Sequence, residues 1–184
     1  HLKVDFMGNE KWVLVPADFG RLKKLLFSWQ EGMAAHRAWN AVFWCNHDQP
    51  RVVSRFGSEE EYWKESAKML ASAIHCLRGT PYIYQGEELG MTNAGFTRLE
   101  QYRDVESLNH FQILRDKGMS EESAYQILKV HSRDNSRTPM QWEDAPHAGF
   151  TSGSPWIGVN PNYRRINAAR QTAEPDSIFR HYQA

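Results

Sequence analysis

The chain has 184 residues, 41% hydrophobic and 24% charged, ordinary globular proportions that argue against wholesale disorder. Lys plus Arg (22) balances Asp plus Glu (22), so charge gives no case for nucleic acid or an anionic membrane as partner. The two cysteines, Cys45 and Cys76, exclude a disulfide scaffold, and no apolar run reaches the ~20 residues of a membrane span.

The first predicted element is a helix over 17–35, after Pro16 and with Asp18 in its first turn. Phe19, Leu22, Leu26, Trp29 and Met33 share one face of it and are expected to be core. Residues 39–45 (WNAVFWC) form a short apolar run, read as a strand buried on both faces. It ends abruptly in Asn46-His47-Asp48-Gln49-Pro50-Arg51. A helix over 59–78 is expected to bury Tyr62, Trp63, Met69, Leu70, Ala73, Ile74 and Leu77, with Gly79 at its end. A second apolar strand, 81–84, runs into Gln85-Gly86-Glu87-Glu88. Strand, helix, strand with both strands apolar favours a parallel βαβ unit. The stretch 90–163 is predicted to be an insertion carrying helices at 104–116 and 121–130 and a Gly/Pro/Ser-rich loop at 145–161. A last helix begins near 176. Both thiols are expected to be buried in a reducing, cytoplasmic compartment.

The polar clusters after the strands are where chemistry is expected, because α/β barrels carry their active sites at the C-terminal ends of their strands. Asp48 beside His47, with Arg51 following, can hydrogen-bond sugar hydroxyls, and Asp48 can equally be a strand-end cap for its own turn. Gln85, Glu87 and Glu88 read either as rim residues or as a solvated loop. The segment 132–142 is dense in groups that hold hydroxyls and carboxylates, its arginines being either ligands or a surface ion-pair cluster. Trp142 reads as core more readily than as a sugar platform. The eight histidines and two cysteines have no metal-site spacing, and Asp104, Glu106 and Asn109 lack calcium-loop spacing, so no metal or other cofactor is expected.

FWCNHDQPRVVSRFG (43–57), AKMLASAIHCLRGTPYIYQGEELGMTN (67–93), EQYRDVESLN (100–109), SRDNSRTPMQWE (132–143) and HAGFTSGSPWIGVNPNYRRIN (147–167) together resemble the α-amylase superfamily of glycoside hydrolases, in its oligo-1,6-glucosidase-like branch. The resemblance implies an α/β fold: part of a TIM (β/α)8 barrel, from the end of strand six to the start of helix eight, with a long helical and loop insertion after strand eight. Such barrels need roughly 200 residues or more, so the remainder of the barrel is an expected partner and the isolated chain is expected to be loosely folded or associated. The resemblance also implies retaining hydrolysis of an α-glucosidic bond by an Asp nucleophile and a Glu acid/base, with a third carboxylate holding the sugar in its transition-state shape. By position Asp48 matches that third carboxylate, His47 a sugar-hydroxyl ligand, and Arg133 an arginine at the floor of the first glucose subsite; Arg51 and Glu87 are weaker matches on the same rim. The nucleophile and acid/base would precede His1, so the 184 residues alone are expected to be inactive.

The opening His1-Leu2-Lys3-Val4-Asp5 departs from the branch's oligo-1,6-glucosidases at Leu2 and Lys3. Lys3 is a suitable point charge for a substrate phosphate, or else an exposed surface lysine. The expected partner is an α-glucoside, either a disaccharide or its phosphate. An oligo-1,6-glucosidase, a sucrose isomerase and a non-catalytic amylase-like binding module are the alternatives.

Overall fold

The structure, a computed structural model, describes residues 2–184. The expectation that His1 belongs to the end of a barrel strand lies outside the described residues.

Helix α1 spans Phe19–Ala35. Asp18 is its N-cap rather than a first-turn residue, and its carboxylate accepts from the Arg21 amide at 2.9 Å. The helix ends with Arg37 in the left-handed region (φ 52°), while the Ala38 amide reaches back to Met33 and the Arg37 amide to Ala34, a Schellman closure without the usual glycine. The predicted apolar face is largely uncovered. Leu22 is buried and Leu26 partly so, but Phe19 and Trp29 are each 58% exposed. Helical periodicity placed these side chains on one face, but only part of that face meets other residues.

Strands β1 (Ala41–Val42) and β2 (Thr80–Pro81) pair in parallel, Ala41 opposite Thr80 and Val42 opposite Pro81. The pairing is extended by Thr80 N–H to Asn40 O and Tyr82 N–H to Val42 O, both 2.8 Å. This is the expected parallel βαβ connection, with strands shorter than predicted. Burial of β1 on both faces is not found. Val42, Trp44 and Cys45 are buried, whereas Trp39 and Phe43 are exposed. One face is covered by α2 (Val52–Phe56) and α3 (Trp63–His75), and the Trp44 indole donates to Leu70 O at 2.7 Å. The other face opens on a hollow of about 400 Å³ lined by Phe43, Tyr82 and Tyr84.

The predicted 59–78 helix is one helix, trimmed at both ends to Trp63–His75. A short α2 precedes it and α3 starts at Trp63, burying Ala67, Leu70, Ala71 and Ile74 at helical spacing. Tyr62, Met69 and Ala73 fall on the outer face and are exposed. Cys76 closes the helix and is exposed, so of the two thiols only Cys45 is buried.

Beyond β2, a 3₁₀ turn at Glu87–Leu89 is bracketed by Gly86 (φ 85°) and Gly90 (φ 70°). A Cβ at position 90 would stand 2.5 Å from Ile178 Cδ1 and 2.9 Å from the Trp63 ring. The bare backbone is what lets the last helix dock. Helix α4 (Val105–Asp116) is capped by Asp104 and α5 (Glu121–His131) by Ser120, close to the predicted bounds. They share a second core through Phe111, Leu114, Ala124, Ile127 and Leu128, closed by Trp12, Phe96 and Tyr102. The stretch expected to be loop holds 3₁₀ turns at Pro146–Gly149 and, just beyond it, Pro161–Arg164. Two helices end the chain: α6 (Ala168–Ala173), which periodicity did not predict, and α7 (Ile178–Gln183). Among the described residues no helix is long and apolar enough to cross a membrane.

Candidate active site

The site begins where β1 gives way to polar chain. Asn46 turns that corner: its side-chain oxygen accepts from the Asp48 amide at 2.8 Å. Capping therefore falls to Asn46, and the Asp48 carboxylate is left to face its neighbours, 40% exposed. One oxygen accepts from Arg137 Nη2 at 2.7 Å and lies 3.8 Å from Arg133 Nη1, and the other is 3.4 Å from His47 Nε2. Arg137 also donates through Nε to His47 O at 2.8 Å, so it grips both the backbone and the acid of the His47-Asp48 pair.

A 3₁₀ turn at Arg133–Ser136, capped by the Ser132 hydroxyl, presents the two arginines four residues apart. Arg133 donates to the Asp104 carboxylate from Nη2 at 2.5 Å and from Nε at 3.1 Å, and its Nε lies 3.0 Å from Glu106. Glu106 in turn meets Lys11 at 3.4 Å. Acid and base thus alternate from Asp48 through the arginines to Asp104, Glu106 and Lys11. Burial alone would raise the Asp104 carboxyl; hydrogen bonds from Arg133 and Ser107 outweigh it and hold it below the ordinary range. Those bonds to Asp104 raise Arg133. Burial lowers Lys11 despite its acid partner. Asp48, Arg133, Lys3, Lys11 and His131 line one cleft of about 260 Å³. Burial likewise lowers His131, whose Nε2 is 2.7 Å from Val13 O, so the ring stands neutral with that nitrogen protonated.

The structure therefore brings Asp48, His47 and Arg133 together, with Lys3 on the same cleft, its ammonium on Asn9 Oδ1 at 2.9 Å. Arg51 and Glu87, predicted on the rim, are not brought there. Arg51 is 1% exposed and donates inward to the carbonyls of Gln85 (2.6 Å) and Ser136 (3.4 Å). Glu87, 3% exposed, accepts from the Cys45 thiol at 2.9 Å and the Tyr182 hydroxyl at 3.1 Å, and burial raises its carboxyl. Both are enclosed by their neighbours and neither lines the cleft. Trp142 is 51% exposed, against the core expectation.

Arg137, Asp104, Glu106 and Lys11 join the cluster in the fold without standing out as site residues in the sequence. The two arginines of RDNSR carry a legible signal in their spacing, whereas Asp104 and Glu106 read from sequence only against a calcium loop, whose spacing they lack. Lys11 meets Glu106 across 95 residues of chain, a proximity that only the fold creates. Among the described residues no cluster of three or more His, Cys, Asp or Glu is disposed to hold a metal ion.

The α-amylase catalytic-domain family matches residues 1–184. The trehalose-6-phosphate hydrolase of Bacillus subtilis is 58% identical over 183 residues, covering all of this chain and 33% of that protein. An oligo-1,6-glucosidase of Halalkalibacterium halodurans is 50% identical over 183 residues, again covering the whole chain and 33% of its own length. The solved structure of Bacillus licheniformis trehalose-6-phosphate hydrolase superposes with a TM-score of 0.97 at 58% identity, covering the whole chain and 33% of that one. The chain thus spans about a third of the length of the curated relatives it matches. With a family match along its whole length and the Asp48–arginine cluster at its strand ends, the chain belongs to the α-amylase catalytic-domain family.

Proposed function

We propose that these residues form part of a retaining α-glucosidase that hydrolyses trehalose 6-phosphate to glucose and glucose 6-phosphate. In this reading they are the part of a (β/α)8 barrel from the end of strand six to the start of helix eight, with 90–163 inserted between. The observation that carries the reading is the Asp48 carboxylate, oriented by Arg137 and near Arg133 in a cleft that Lys3 also lines. The 58% relatives named for trehalose-6-phosphate hydrolysis support the substrate.

The residues would share the work as follows. Asp48 accepts hydrogen bonds from sugar hydroxyls near the anomeric carbon, and these strengthen as positive charge develops there. Arg137 keeps the acid aimed, and His47 offers its ring to a neighbouring hydroxyl. Arg133, held by Asp104 and Glu106, forms the floor. Lys3 meets the 6-phosphate as a mobile point charge. The nucleophile and the acid/base come from the rest of the barrel, and the enzyme works in the cytoplasm, where Cys45 and Cys76 stay reduced.

The test is Lys3→Ala in the full-length enzyme. KM for trehalose 6-phosphate should rise by about tenfold, the worth of one charge-assisted contact, with kcat/KM on p-nitrophenyl α-glucoside nearly unchanged. Equal losses on both substrates would remove the phosphate role. A second reading, an oligo-1,6-glucosidase, is favoured by the 50% identical relative; in that case isomaltose is turned over well and trehalose 6-phosphate is not.

A further inference from the structure

Among the described residues Arg51 is a fully buried arginine whose role the cleft does not explain. Its guanidinium is enclosed, yet its partners are carbonyl oxygens rather than a carboxylate: Gln85 O and Ser136 O. Its Nε finds no partner among the described residues. Its own amide donates to Asn93 Oδ1 at 3.0 Å, and its guanidinium lies 5.2 Å from the centre of the Tyr84 ring. The Tyr84 hydroxyl donates to the same Ser136 carbonyl at 3.0 Å, and the Ser136 hydroxyl donates to Gln49 O. Three segments therefore converge on one peptide group: the loop after β1, the end of the β2 segment, and the turn that carries the arginines. The residue after that peptide is Arg137.

We infer that Arg51 is a positioning residue, one that together with Tyr84 fixes the Ser136 carbonyl and thereby sets Arg137 against Asp48. Arg51 does not reach the cleft and touches no reacting atom. It acts through backbone: with Ser136 held, the Arg137 side chain leaves the turn in the one direction that meets both His47 O and the Asp48 carboxylate. Only a guanidinium suits the task, since its planar donors diverge to carbonyls of two segments at once, whereas a lysine ammonium is a single compact point. The inference rests on the α-glucosidase reading above, in which the orientation of Asp48 governs the rate.

The experiment is a double-mutant cycle in the full-length enzyme, read as kcat/KM on p-nitrophenyl α-glucoside. Arg51→Lys should lower kcat/KM by about tenfold in the otherwise wild-type enzyme, mostly in kcat, and by less than about twofold when Arg137→Ala is already present. Non-additivity of that kind marks action through Arg137. A merely structural loss would instead multiply through both backgrounds. Should Arg51→Lys fail to fold, Tyr84→Phe, which deletes a single hydroxyl, carries the same cycle with an expected loss of about threefold against none. Equal factors in the two backgrounds, or no loss in either, overturn the inference alone. A wild-type enzyme inert toward both p-nitrophenyl α-glucoside and trehalose 6-phosphate overturns the α-glucosidase reading and this inference with it.

Discussion

Asp48 shows how much a single side chain depends on its neighbour two residues back. Because Asn46 takes the capping bond, the Asp48 carboxylate can pair with Arg137 and still keep 40% of its surface open. An acid with one face bonded and one face open is suited to holding a sugar that passes through a charged transition state. Asp48→Asn in the full-length enzyme keeps the shape and removes the charge. If the acid supplies several kcal/mol in the transition state, kcat should fall by about a thousandfold, while KM moves only severalfold. A fall in KM affinity with kcat preserved would show that Asp48 merely binds.

Glu87, enclosed away from the cleft, makes a prediction of the opposite kind, about stability. Burial raises its carboxyl, so the folded protein keeps a proton that the unfolded chain has released. The stability this contributes is complete below the ordinary glutamate value of about 4.3 and is lost as pH rises through the higher folded value. Glu87→Gln, which stays neutral, lacks that loss. The Tm of the variant relative to wild type should therefore climb from pH 4 upward and then level off. A difference that is flat from pH 4 to 8 would mean that Glu87 is ionised in the fold. Spacing alone leaves Asp48 as readable for a turn cap as for a ligand; it is the resemblance of the surrounding segments to a family that singles out Asp48, His47 and Arg133, which the fold brings into one cluster. The burial of Arg51 and Glu87 was not legible, since a polar residue after a strand reads the same whether its turn points outward or folds beneath.

At the level of elements, Asp104 is both a helix cap and part of the ion-pair chain. Its carboxylate accepts from the Ser107 amide at 3.3 Å at the start of α4, and also from the Ser107 hydroxyl and Arg133. The two duties can be separated. Asp104→Asn retains a good cap, so the loss of stability should stay small, yet it removes the charge that holds Arg133, and kcat/KM should fall. Asp104→Ala loses both, with an added destabilisation of about 1 kcal/mol for the missing cap. Urea unfolding beside kinetics reads the two effects; parallel losses in both variants would mean that charge and cap are not distinct here. The caps also explain which elements could be read from sequence. Asp104 and Ser120 stand directly before apolar periodic runs, and the helices they start were placed within a residue or so. Helix α6 had no such run. It is short, and its buried residue is Gln171, whose side-chain oxygen accepts from the amides of Ile178 and Phe179 and so ties α6 to the start of α7. A buried glutamine serving a neighbouring helix looks in sequence like an exposed one. The strand at 39–45 failed differently: its apolar run matched burial on two faces, but burial is a property of what packs there, and α2 and α3 cover only one.

On the scale of the whole molecule, the uncovered residues lie next to one another. Trp39 and Phe43 of the β1 segment, Tyr82 and Ile83 after β2, and Trp29 of α1 are all more than a third exposed. They stand beside the 400 Å³ hollow over the sheet and a second cleft of about 380 Å³ between α1 and β1, lined by Leu26, Trp29, Phe43 and Trp44. Each such side chain is worth about 1.5–3 kcal/mol when fully buried, and a two-stranded parallel sheet has both outer edges open to pairing. A surface of this kind calls for protein against it, and relatives three times as long have the chain to supply it. Made alone, the 184 residues should therefore elute from a sizing column as an associated species and bind a hydrophobic dye. If the proposed barrel reading holds, co-expression with the remainder of that barrel should give a defined complex in which dye binding falls away. A monomeric sample whose amides at 41–45 and 80–84 resist hydrogen exchange would show instead that this sheet is complete with one covered face, and that the exposed aromatics need no further protein against them.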